Sequence, residues 1–118
     1  MGLVNEQWKF LLDISKLIQW AEKNNYVLTG GRLYDDPEMQ KLYVELGKSQ
    51  TMKSQHLKRL AVDFNVFVRG ELTNDWTTIK PLGDYWESLS VMNRWGGDFN
   101  KNNVKDGFID CPHFERYL

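Results

Sequence analysis

Residues 60–68 constrain the fold more than any other stretch. Leu60, Val62, Phe64, Val66 and Val68 share one parity, and Ala61, Asp63, Asn65 and Phe67 share the other. Side chains of a strand alternate between faces, so this pattern specifies a strand with one face against a core. Asp63 then points away from that core, toward a cleft. The apolar face needs a covering layer, and residues 5–25 supply one. Leu11, Ile14, Ile18 and Ala21 recur at helical spacing, with Trp8 and Leu17 widening the stripe. Lys16, Glu22 and Lys23 belong to the solvent side, and Asn24-Asn25 suits the helix exit.

The remaining elements are shorter. Residues 26–29 read as a strand ended by Gly30-Gly31. A second helix is expected from Pro37, capped by Asp36, to Leu46, with a polar loop over 48–53. Residues 69–71 read as a turn and 71–79 as loop. A third helix is expected from Pro81 or Leu82 to Leu89. The glycine-rich run 94–99 reads as a strand with a bulge or tight bend, 100–107 as a polar loop, and Phe108 to Phe114 as a final strand interrupted by Pro112. This order predicts one α+β domain over 1–118, a small, mostly antiparallel sheet with helices packed on one face.

Composition excludes several classes. Fifteen basic residues against 16 acidic ones leave no excess to neutralise phosphates, so no nucleic-acid partner is expected. No apolar run approaches the ~20 residues that cross a bilayer, so no membrane insertion is expected. The single cysteine, Cys111, rules out an internal disulfide and a multi-cysteine zinc site, and is expected to be a small buried residue.

The chemistry rests on two histidines. His56 precedes Asp63 by seven positions, and His113 follows Asp110 by three. A catalytic zinc site takes three protein ligands and keeps one position open. Two imidazoles and one carboxylate meet that count, and a second carboxylate can take a proton from the attacking water. On a regular strand Asp110 and His113 would face opposite ways; a bend at Pro112 would bring them together. Spacing alone leaves the roles of Asp63 and Asp110 open.

Three segments carry a resemblance. Ser54-Gln55-His56-Leu57-Lys58-Arg59-Leu60-Ala61-Val62-Asp63 resembles a Ser-x-His-x-x-Gly-x-Ala-x-Asp signature. Asp110-Cys111-Pro112-His113 resembles a closing Asp-x-x-His segment, and Trp95-Gly96-Gly97 lies between them as a Trp-Gly-Gly element. Together they resemble the zinc D-alanyl-D-alanine carboxypeptidases and L-alanyl-D-glutamate endopeptidases. That family includes phage endolysins and shares its fold with the signalling domain of hedgehog proteins. The resemblance implies Zn2+ held by His56, Asp63 and His113, with Asp110 as general base. It also implies Ser54 near the metal or substrate and Trp95 lining the cleft. The implied substrate is the peptidoglycan stem peptide, cut between L-alanine and D-glutamate. A D-Ala-D-Ala carboxypeptidase or dipeptidase is the rival, and a non-catalytic cell-wall-binding domain is the alternative of another class.

Two positions depart from the family pattern. Arg59 stands where glycine is usual, which implies an ordinary backbone there. Tyr34-Asp35-Asp36-Pro37 stands where relatives carry Tyr-Arg-Thr-Pro, so a substrate-binding arginine is missing at 35. Arg32 is expected to substitute for it. The first residues show no basic-then-apolar secretory pattern. The protein is therefore expected to be a cytoplasmic monomer until release, then to act on the cell wall, with a phage or prophage origin.

Overall fold

The computed structural model describes residues 2–32 and 58–118. The expected helix over 37–46 and loop over 48–53 lie outside them. Helix α1 spans Gly2–Lys23 and α2 spans Trp76–Ser88. The strands are β1 Val27–Arg32, β2 Ala61–Val68, β3 Glu71–Thr73, β4 Asn93–Trp95 and β5 His113–Arg116. All pair antiparallel, and the α+β expectation is met.

β2 is the axis of the sheet. β1 runs along one edge, from Val27 opposite Phe67 to Arg32 opposite Asp63, and the register skips Gly31. The other edge is divided: β3 pairs with Val66–Val68 and β5 with residues 61–63. β4 closes the order beyond β5. Asp63 is thereby flanked by Arg32 on one neighbouring strand and His113 on the other.

One parity of the sheet meets the helices, as the alternation in 60–68 requires. Val62, Phe64, Val66, Trp95 and Phe114 pack with Phe10, Leu17 and Ala21 of α1 and Ile79, Leu82 and Trp86 of α2. Trp86 meets Phe10 and Phe114 edge to face, at 5.7 and 6.3 Å between ring centres, and its indole N–H donates to the Glu115 carbonyl at 2.9 Å. Burying each large apolar side chain here contributes about 1.5–3 kcal/mol.

Local details depart from the expectation for identifiable reasons. The buried face of α1 is Phe10, Asp13, Leu17 and Ala21, whereas Leu11 and Ile18 are 51% and 46% exposed. A carboxylate thus occupies the packed face. Asp13 accepts from the Asn93 side chain at 3.0 Å, which makes its burial tolerable. The α1 exit does follow the sequence: Asn25 has φ 66°, and the Tyr26 N–H reaches back to the Ala21 carbonyl at 2.9 Å.

Of residues 71–79, expected as loop, 71–73 form β3 and 76–79 open α2. Arg69 and Gly70 both have positive φ and form the two-residue turn of a β2–β3 hairpin. α2 begins at Trp76, not at Pro81. Asp75 caps it, accepting from the Thr78 N–H at 2.9 Å and hydroxyl at 2.7 Å. This cap and the burial of Ile79, Leu82 and Trp86 outweigh the one backbone bond that Pro81 forfeits. The last strand begins at His113 rather than Phe108, because Cys111-Pro112 is a turn.

Arg59 corrects the sequence reading in an informative way. Its φ is 58°, the left-handed conformation that glycine adopts without cost. The position keeps the glycine geometry of the signature while carrying a different residue. Arg59→Gly is therefore expected to be more stable than Arg59→Ala by roughly 1 kcal/mol. Both lose the same side-chain contacts, so comparing their denaturant midpoints isolates the backbone. Equal midpoints would contradict the left-handed assignment.

Candidate metal centre

The strand register brings the first two groups together. Asp63 on β2 is the cross-strand partner of His113 on β5, with Asp63 Oδ1 3.1 Å from His113 Nδ1. The turn at Cys111-Pro112 supplies the third. The His113 N–H donates to the Asp110 carbonyl at 3.0 Å, and this closure sets Asp110 Oδ2 4.0 Å from the same Nδ1. Asp63, Asp110 and His113 each offer one ligand atom, all within 4.8 Å of one another. His113 is buried and the two carboxylates are half-buried.

Gly96 makes this approach possible. Its N–H donates to the His113 carbonyl at 2.7 Å, and its carbonyl accepts from the Asp110 N–H at 2.8 Å. A Cβ at 96 would lie 2.2 Å from the Asp110 carbonyl oxygen and 2.7 Å from the His113 Cβ. Trp95 acts from the opposite face. It was expected to line the cleft, yet it is 1% exposed, packed against Gly83 and Gly97. Its indole N–H donates to the Cys111 carbonyl at 2.8 Å, so it braces the turn from inside the core.

The far side of His113 carries two groups to which the sequence reading gave no role. Glu115 Oε1 lies 2.6 Å from His113 Nε2, and Glu115 Oε2 accepts from Arg94 Nε at 2.9 Å and Nη2 at 2.7 Å. The Arg94 guanidinium in turn lies over Tyr117 at 4.1 Å and Phe99 at 5.1 Å. The signal was available: His113 and Glu115 are two apart on one strand, hence on one face. Arg94 could be found only through the β4–β5 register.

Charge follows from this geometry. Burial pulls the His113 imidazole down, but the Asp63 and Glu115 carboxylates outweigh it and raise it to about 9. Burial pushes Glu115 up, yet His113 and Arg94 leave it below the usual carboxylate range. The Cys111 thiol is pushed up to about 11, chiefly by burial, and is not part of the metal-ligating group. In metal-free protein His113 therefore stabilises the fold fully below about pH 6.5, its unfolded value, and this is lost as pH rises through about 9. The expected loss is on the order of 3 kcal/mol. Thermal melts in chelator between pH 6 and 9.5 test it, with His113→Gln showing a flatter profile. Parallel profiles for the two would contradict it.

His56 and Ser54, the other expected site residues, lie outside the described residues. Arg32 is placed by its backbone, directly opposite Asp63. Among the described residues, no helix is long and apolar enough to cross a membrane.

Known proteins share this architecture. The L-alanyl-D-glutamate peptidase of Listeria phage A118 is 34% identical over 103 residues, covering 85% of this chain and 34% of the relative. The chain thus spans about a third of the length of that curated relative. The crystal structure of the Serratia marcescens L-Ala D-Glu endopeptidase ChiX matches with a TM-score of 0.60 at 23% identity, over 88% of this chain and 77% of that one. This likeness speaks for the fold. The family model described as phage L-alanyl-D-glutamate peptidase matches residues 4–117. With the match running from the first helix through the closing Asp110–His113 turn, the chain belongs to the phage L-alanyl-D-glutamate peptidase family.

Proposed function

We propose that the protein is a zinc-dependent endopeptidase that hydrolyses the L-alanyl–D-glutamate bond of the peptidoglycan stem peptide. The observation that carries this is the convergence of Asp63, Asp110 and His113 on one point. The donor chemistry fits the ion, since imidazole nitrogen and carboxylate oxygen are ordinary zinc ligands. Two ligand atoms on one tetrahedral zinc lie about 3.3 Å apart, given bonds near 2.0–2.1 Å. The Asp63–His113 separation of 3.1 Å suits two such ligands, whereas Asp110 at 4.0 Å stands back. Asp63 and His113 would hold the ion together with His56.

Zinc in this place supplies a Lewis acid that activates water and polarises the scissile carbonyl. The protein's own part is proton handling and orientation. Asp110 takes a proton from the attacking water at its carboxylate and returns it to the leaving amine. Arg32, opposite Asp63 in the sheet, is the proposed cation for the substrate. The family membership favours an endopeptidase over a D-Ala-D-Ala carboxypeptidase, and it supports action at the cell wall of a lysing host.

Purified protein incubated with peptidoglycan, with and without chelator, tests the reading. The expected result is new amino groups on D-glutamate that chelator abolishes and Zn2+ restores. Release of free D-alanine would instead favour the carboxypeptidase. Metal binding without any cleavage would reduce the protein to a cell-wall-binding domain.

A further inference from the structure

We propose that Glu115, held by Arg94, is a positioning residue that fixes His113 with Nε2 protonated and Nδ1 presented to the divalent ion. The proposal rests on the metal reading above and deepens it. A neutral imidazole has one donor nitrogen and one acceptor nitrogen. Carboxylate oxygens face both ring nitrogens, Glu115 Oε1 at 2.6 Å from Nε2 and Asp63 Oδ1 at 3.1 Å from Nδ1; when Nδ1 gives up its proton to the ion, the shorter contact keeps the remaining proton on Nε2. Nδ1 then faces the side on which Asp63 and Asp110 lie, at 3.1 and 4.0 Å.

Arg94 gives the carboxylate its fixed direction. It donates twice to Oε2, which leaves Oε1 for the imidazole. Arg94 and Glu115 are cross-strand partners on β4 and β5, and the guanidinium lies between Tyr117 and Phe99. Phe99 also packs against the His113 ring, at 5.6 Å between centres. Rotation of the imidazole is thus resisted by a hydrogen bond at one end and an aromatic face beside it. Carboxylates behind a metal-binding histidine orient the ring and raise its basicity, and their loss weakens metal binding about 10–100-fold.

The alternative is that Glu115 and Arg94 merely fasten β4 to β5. Nitrogen NMR of the zinc-loaded protein, with zinc affinity by chelator competition on the parent, Glu115→Ala and Glu115→Gln, separates the two. In the parent, His113 is expected to carry its proton on Nε2 and bind through Nδ1. Glu115→Ala is expected to weaken zinc binding about 10–100-fold, and Glu115→Gln, which keeps an acceptor oxygen, to restore most of it. Coordination through Nε2, or parental affinity in the alanine variant, overturns the proposal. So does equal weakening in both variants. Should Glu115→Ala fail to fold, the parent's NMR tautomer and the glutamine variant still decide. A parent that binds no divalent ion overturns the zinc peptidase reading as well, whereas binding through the wrong nitrogen overturns this proposal alone.

Discussion

Asp110→Asn is expected to keep its zinc and lose turnover by about 10²–10⁴-fold, the range a positioned general base contributes. The asparagine has the same shape but cannot accept a proton as a carboxylate does. The turn that places residue 110 is held by backbone atoms, through the His113 N–H to the 110 carbonyl and the 110 N–H to the Gly96 carbonyl. Neither bond needs the carboxylate, so the fold should be unchanged. The proposed base role is in keeping with a 4.0 Å separation of Asp110 Oδ2 from His113 Nδ1, wider than the 3.1 Å of Asp63 Oδ1. His113→Ala is the contrasting variant, expected to lose the metal itself. Zinc content and stem-peptide cleavage should be measured on the same preparations. An Asp110→Asn protein that still cleaves removes Asp110 as the base, and one that loses zinc makes it a ligand.

The sequence carried the centre of this fold because a strand's period is short and strict. Alternation over 60–68 placed Asp63 off the core face, and the β2–β5 register then determined its neighbour. Asp110 and His113 were harder, since three positions apart on a strand would separate them. Pro112 was the only hint of the turn that reunites them. What was not legible depends on partners distant in the chain. Asp13 lies in the buried face of α1 because Asn93, 80 residues away, donates to it. Glu115 acquires its role from Arg94 on another strand. Trp95 looked like a cleft aromatic, and only the packing against Gly83 and Gly97 reveals it as a brace. The start of α2 was misread because Pro81 resembles a first helical residue, while Asp75 forms the actual cap. Arg59 was misread from its residue type at a glycine position, because the backbone there takes a positive φ although the residue is not glycine.

Gly96→Ala is expected to disable the site more thoroughly than loss of any single second-rank contact around it. The added methyl group would meet the Asp110 carbonyl at 2.2 Å and the His113 Cβ at 2.7 Å. Neither neighbour is the flexible end of a side chain, so the backbone itself must move. Overpacking of this kind costs about 1–3 kcal/mol, and backbone crowding falls at or above the upper end. The two hydrogen bonds through Gly96 join the segment carrying Asp110 to the strand carrying His113, and the displacement separates those side chains directly. Zinc affinity and turnover should therefore fall together, by more than the loss of stability alone explains. Gly30→Ala is the control. Nothing lies within 4 Å of a Cβ there, and its stability should stay within about 0.5 kcal/mol of the parent. A Gly96→Ala protein that melts and binds zinc like the parent would mean that Gly96, just beyond β4, does not lie as close to the Asp110–His113 turn as the 2.2 Å contact requires.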